Sequence, residues 1–181
     1  TLSSSSAASD VYKRQLLISV IVTALWQVDV TNDSLNRIVK VNNVRLQLAN
    51  DLIDDAREMT LDVMDILMAK YRNQGASVQK TKDHLVEMRR LYRESESRIK
   101  GLITEEDEKG LDLFGKMQTS EARARQLQDQ VLELAAAGQR GKGAEVMAEK
   151  AFPAMKEWAE SIDAYIRHNE HRTDRRSEQV E

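Results

Sequence analysis

The chain has 181 residues, with 27 basic against 30 acidic side chains and a net charge of −3. That balance excludes the strongly basic face that nucleic-acid binding needs, and the lack of cysteine excludes a disulfide scaffold, a thiol nucleophile and thiolate metal sites. Seven glycines, one proline, 31% charged and 4% aromatic residues fit one domain of long, surface-charged helices.

The chain opens on residues that do not read as part of a fold. The run from Ser5 to Gln15, ending Asp10, Val11, Tyr12, Lys13, Arg14, Gln15, resembles the in-frame translation of a sequencing adapter joined to a gene fragment. Residues 1–15 are therefore set aside, and Lys13 and Arg14 are not used as evidence of membrane orientation. Leu16 to Trp26 is apolar, and no charge occurs from Leu16 to Val28. As a helix, 16–28 spans about 20 Å, short of the ~30 Å of a bilayer core. No small-residue cleavage site follows it, so the segment is expected to be a truncated transmembrane helix rather than a signal peptide. It leads into a single domain over 29–181.

Four helices are expected in that domain. Helix one, from about Asn32 to Arg72, carries the seam Leu35, Ile38, Asn42, Arg45, Ala49, Leu52, Ala56, Met59, Val63, Ile66, whose alternating steps of three and four are the rhythm of a bundle. It ends at the stop signal Asn73, Gln74, Gly75. Helix two, with Ser77 as N-cap, carries Val78, Thr81, Leu85, Met88, Tyr92, Ser95, Ile99 and Leu102. Helix three opens with Thr104 as cap before Glu105, Glu106 and Asp107, acids suited to the positive end of a helix dipole. Its seam is Leu113, Met117, Ser120, Ala124, Leu127, Val131, Leu134. Gly138 ends it, and Gly138 to Gly143 forms a helix–helix turn. Helix four carries Ala148, Ala151, Met155, Trp158, Ile162, Tyr165, Asn169 and Arg172, with a kink or a second segment at Pro153.

Short turns between long helices imply antiparallel neighbours. The fold class is all-α, an antiparallel up-down-up-down four-helix bundle behind a truncated N-terminal transmembrane helix. Asn42 and Arg45 on helix one and Asn169 on helix four make both seams polar at one height. The membrane-proximal quarter is accordingly expected to pack weakly.

No nucleophile elbow, phosphate loop or dinucleotide fingerprint occurs, so no catalytic site and no cofactor is expected. His168 and His171 share a helix face, but the Glu-x-x-His pairs of a di-iron bundle are absent, and no metal is expected. The methionines fall on or beside the seams and read as core packing. One layer has the makings of a ligand site. Arg57 on helix one, Arg89, Arg90 and Arg93 on helix two, Arg123 and Arg125 on helix three, and Trp158 on helix four lie at similar depth. Arginine offers a planar fork matched to carboxylates, and Arg57, Arg89, Arg93 and Trp158 are the candidate contacts for a small anion. The alternative for the arginines is surface ion pairing with the acids of helix one.

Several stretches resemble the periplasmic four-helix-bundle sensor domain of methyl-accepting chemotaxis proteins. Leu48, Ala49, Asn50, Asp51, Leu52, Ile53, Asp54 and Asp55 are similar to a run of that family's helix one. Val131, Leu132, Glu133, Leu134, then Ala144 and Phe152, Pro153, Ala154, are similar to its helix-turn-helix pattern. The resemblance implies a non-enzymatic bacterial receptor of the inner membrane with its sensor in the periplasm. It would be anchored through the N-terminal helix, homodimeric, and responsive to a small-molecule ligand or a periplasmic binding protein. Leu61 and Met64 stand where relatives often carry arginines, and Ala124 near a frequent tyrosine, which puts an organic-acid ligand in doubt. An input domain of a sensor histidine kinase or nucleotide cyclase, or a structural anchored bundle, are the alternatives.

Overall fold

The computed structural model describes residues 3–69, 75–105 and 107–177, with side chains in 15–27, 40–69, 78–105 and 107–172. Its elements are α1 (Ser3–Met68), α2 (Gly75–Leu102), α3 (Glu108–Ala136), α4 (Arg140–Val146), a π turn (Met147–Ala151) and α5 (Phe152–Ser177). The described residues contain no strand. Two compact units divide the chain, Thr1–Val41 and Asn42–Glu181.

In the first unit, Leu16, Leu17, Ile18, Val20, Ile21, Val22, Leu25 and Trp26 are all exposed on α1. No helix among the described residues is long and apolar enough to cross a membrane. The expected seam residues Leu35 and Ile38, and the stop at Asn73 and Gln74, lie outside the described side chains.

The second unit is the four-helix bundle, with α4, the π turn and α5 together forming its fourth helix. Each neighbouring pair of helices is marked by a polar contact. His84 Nδ1 on α2 lies 2.8 Å from Asp62 Oδ2 on α1. Arg89 on α2 donates to Asp129 on α3 at 2.6 Å. Arg123 on α3 donates to Glu157 on α5 at 3.0 Å. Asn42 on α1 donates to the Asn169 carbonyl on α5 at 2.9 Å. These pairings run antiparallel around the ring, which is the up-down-up-down order.

The core follows the heptad seams. From Asn42 to Ile66 every expected seam residue of α1 is buried, as are Leu85, Tyr92 and Ile99 on α2 and Met117, Ser120, Ala124 and Val131 on α3. At about 25 cal/mol per Å2 of apolar surface, this burial is the principal favourable term in folding. The methionines divide: Met59, Met117, Met147 and Met155 are core residues, whereas Met64 and Met68 are exposed.

Four local expectations need correction. Helix α2 begins at Gly75, ahead of Ser77. Helix α3 is capped by Asp107, not Thr104: the Asp107 carboxylate accepts from the Gly110 N–H at 3.0 Å, so the acid closest to the helix does the capping. The turn after α3 is only three residues long, because helix resumes at Arg140. Gly138 takes a left-handed φ of 75° there. Its N–H donates to Ala135 at 3.2 Å, and Gln139 N–H to Leu134 at 2.8 Å, the paired bonds of a Schellman motif.

The fourth correction concerns Ala148, which is exposed while Met147 is buried. Pro153 has no N–H to donate and its ring crowds the carbonyl four residues back. The chain answers with a π turn, in which the Phe152 N–H reaches the Met147 carbonyl. The wider turn carries an extra residue, so the apolar seam passes through Gly143 before it, Met147 and Ala151 within it, and Met155 and Trp158 after it. Gly143 belongs there for space: a Cβ on it would lie 3.0 Å from Leu67 Cδ1 on α1.

Candidate functional site

The bundle interior holds one aromatic diagonal. Trp158 on α5 and Tyr92 on α2 are both fully buried, with ring centroids 5.0 Å apart in an edge-on arrangement. The indole N–H donates to the Tyr92 hydroxyl at 2.9 Å. Burial pushes the Tyr92 hydroxyl well above the usual tyrosine range, with the nearby Glu121 carboxylate adding to it. The seam spacing of both helices places these residues inward, and the hydrogen bond satisfies the one polar atom that the indole brings with it.

A polar edge borders that diagonal between α2 and α3. The Arg125 guanidinium lies 5.6 Å from the Tyr92 ring centre and within 2.5 Å of Glu121. Burial raises the Glu121 carboxyl above its ordinary range, against the opposing pull of Arg125. Gln128 is fully buried, and its Oε1 lies 3.5 Å from an Arg89 nitrogen while its Nε2 has no hydrogen-bond partner. Sequence reasoning did not select Gln128 or Glu121. Their signal was positional only: with Arg125 they flank Ala124, a seam residue.

The four residues expected to contact ligand have different surroundings. Trp158 is sealed inside and its N–H is engaged. Arg89 is partly buried at the edge, bonded to Asp129 and Gln128. Arg93 is exposed on α2. Arg57 is 62% exposed and donates to Asp54 on its own helix at 3.2 Å. The contacts of residue 62 with 84 and of 45 with 102 put residue 57 level with 89 and 90 on the neighbouring helix. Arg57 and Arg89 thus share a height, while Arg57 occupies the outer face of α1.

A second polar cluster was not foreseen as a site. Asp107 sits between α2 and α3 with a side chain only 3% exposed. Its Oδ1 accepts from Gly110 N–H and lies 2.9 Å from His168 Nε2; its Oδ2 meets Arg45 at 3.1 Å and also Arg172. Arg45 further donates to the Leu102 carbonyl. Burial by itself would raise the Asp107 carboxyl, but the His168 hydrogen bond, the Arg172 charge and the Gly110 N–H outweigh it and hold it below the usual carboxylate range. The described part of the end expected to pack weakly is therefore tied together by buried polar contacts, with Asn42 and Asn169 completing them.

Two surface features remain. An open groove of about 790 Å3 runs between α3 and α5, lined by Lys116, Ser120, Arg123, Glu157, Glu160 and Ser161 among others. Two of its cations already have carboxylate partners, Lys116 with Asp112 and Arg123 with Glu157. On the outer face of α1, Leu61, Met64 and Met68 are 57%, 40% and 52% exposed. They recur at helical spacing, an apolar strip without cover among the described residues. A family model described as a four helix bundle sensory module for signal transduction matches residues 15–180. No curated protein matches the chain.

Proposed function

Since the chain belongs to the four-helix-bundle sensory modules of methyl-accepting chemotaxis proteins, we infer that it is the extracytoplasmic input domain of a bacterial transmembrane chemoreceptor. The family is a sensory signal-transduction module, not a catalytic domain. The family match over nearly the whole chain is the observation that carries this reading. The exposed apolar run from Leu16 to Trp26 supports an N-terminal membrane anchor, with the bundle in the periplasm. The strip at Leu61, Met64 and Met68 supports a homodimer through α1, because an apolar strip of this kind gains from cover by a second copy.

The proposed stimulus is a small anion, or a ligand-loaded binding protein, met at the α2 edge. Arg89 and Arg93 would make the contacts, with Arg57 level with Arg89 on α1. Trp158 would report on the ligand rather than touch it, since it lies behind Tyr92. A ligand acts by favouring one packing of the bundle over another, so its differential contact with the two packings sets the signal.

The test joins residues 16–181 to the transmembrane and kinase-control portions of a chemoreceptor and follows kinase activity against a panel of organic acids and binding-protein extracts. A dose-dependent response that Arg89→Ala or Arg93→Ala weakens at least tenfold is expected. Trp158 fluorescence in a Trp26→Phe background should move over the same concentration range. A hybrid that folds yet responds to nothing overturns the sensory reading. A response indifferent to both arginines removes the α2 site alone.

A further inference from the structure

The seam where α2 faces α3 holds more hydrogen-bond donors than acceptors. Gln128 is fully buried, and its Oε1 lies 3.5 Å from Arg89 Nη2 across the seam. The Nε2 of the same amide therefore also lies in the seam, and it has no hydrogen-bond partner. Arg89 Nε on α2 and Arg125 Nη2 on α3 are buried and unpartnered as well. All three can donate and none can accept. Buried donors of this kind are normally matched, because an unmatched one keeps its full desolvation cost. One carboxylate already uses the seam. Asp129 accepts from Arg89 at 2.6 Å, with its own side chain 52% exposed. It is fixed one position beyond Gln128 on α3 and meets Arg89 from the solvent side, so it leaves Nε2 unbonded.

We propose that this seam is a binding site for a monocarboxylate, held by Arg89 and Gln128, and that Asp129 is its built-in competitor. A free carboxylate is not tethered to α3. Once Asp129 turns out to solvent, one ligand oxygen accepts from Arg89 and the other from Gln128 Nε2, which the Asp129 side chain leaves unbonded. Both bonds are of the charge-assisted kind, stronger than those between neutral groups. Arg89 and Arg125 keep 21% and 17% of their side chains exposed, so the seam meets solvent at its rim. Charge sets the class of ligand. Arg89, Arg93 and Arg125 are the cations around the seam, and Asp129, Glu121 and Glu96 the acids. The two signs balance, and a monoanion that takes over the role of Asp129 keeps that balance. A second carboxylate gains little, because Arg125 is paired with Glu121 and Arg93 already lies in the field of the same acid.

The site deepens the reading of the α2 edge as the place where the stimulus is met, and rests on it for its biological use; binding itself is measured on the chain alone. The isotope-labelled full chain is titrated with acetate, with acetamide as its uncharged counterpart, succinate as a dicarboxylate and inorganic phosphate as a different oxyanion. Amide shifts read the binding. Acetate should move the signals of α2 and α3 around the seam, the Gln128 side-chain amide among them. Acetamide should not, and succinate and phosphate should bind more weakly. Asp129→Ala, at an exposed position, removes the competitor and should tighten acetate by about two- to fivefold, the scale of an exposed ion pair. Gln128→Met keeps the length of the side chain without its donor and should weaken acetate by about tenfold. Gln128→Glu sets a negative oxygen in place of the N–H and should abolish binding; the methionine variant keeps the test open should the buried glutamate prevent folding. Acetate binding that Asp129→Ala and Gln128→Met both leave unchanged overturns the proposal. So does an Asp129→Ala chain that takes up no acetate, or a site that prefers acetamide, succinate or phosphate. The hybrid receptor can still respond, through a binding protein, when this site fails, so the two failures are distinct.

Discussion

Asp55 shows how a single residue can work against the fold. It lies on α1 beside Asp51, Asp54 and Glu58, and partial burial with those three negative charges raises its carboxyl to about 6. An unfolded aspartate titrates near 3.9, so the folded chain holds this proton more tightly. The contribution favours folding below about pH 4 and is lost as pH rises through 6. Asp55→Asn should therefore melt higher than the parent at neutral pH by roughly 1–3 °C, since solvent screens a half-exposed group. The advantage should vanish near pH 4 in thermal melts followed by circular dichroism. An equal advantage at both pH values would mean that charge is not the cause. Asp107 has the opposite sign: its depressed carboxyl stabilises the fold above pH 4 and ceases to do so in stronger acid. Neither residue was legible as special. Sequence gives the acid runs but not which carboxyl is turned inward. Asp107 is selected by the Gly110 N–H within its own cap and by cations from two other helices that are far away in sequence.

At the level of the element, the apolar rhythm located all four helices and most inward positions, because a period near 3.5 leaves few alternatives for which face is buried. The failures occurred where the helix departs from that period. Ala148 opens the expected seam of helix four, and the π turn puts Met147 inward in its place. Pro153 signalled the disturbance, but its form depends on how the preceding carbonyls are satisfied in three dimensions. Helix ends divided in the same way. Gly138 was legible because only glycine takes φ 75° without strain, whereas several acids competed for the α3 cap. Gly138→Ala meets no steric contact within 4 Å, so its effect isolates the backbone conformation. A loss of about 1 kcal/mol is expected, read as a melting point lower by about 2–4 °C. No loss would show that another backbone conformation closes this turn equally well.

For the molecule as a whole, ring order and antiparallel sense followed from short turns between long helices, and Asn42 and Asn169 were already matched in height by their sequence positions. The candidate ligand layer was less legible. Depth along a helix can be counted, but whether Arg57 faces its neighbours or the solvent depends on the bundle's rotation about each axis. The seam turns Ala56 and Met59 inward and so leaves Arg57 outside. The same rotation exposes Leu61, Met64 and Met68 together. Sedimentation equilibrium should find the parent dimeric and Leu61→Arg shifted at least tenfold toward monomer, with an unchanged melting curve at low concentration. A variant that associates as the parent does would place the dimer contact elsewhere or remove it.

The Tyr92–Trp158 diagonal constrains the order in which this sequence can diverge. Both side chains are fully buried and share one hydrogen bond. Replacing Tyr92 by phenylalanine first strands an indole N–H, which can only donate and has no water to turn to. Replacing Trp158 first empties the space of a fully buried indole and leaves the Tyr92 hydroxyl without its donor. The two routes to an all-apolar interior therefore differ in their intermediates: the stranded N–H costs about 1–3 kcal/mol, the emptied indole site about 3–5 kcal/mol. Lineages that keep tryptophan at position 158 after losing the tyrosine should outnumber those that retain the tyrosine alone.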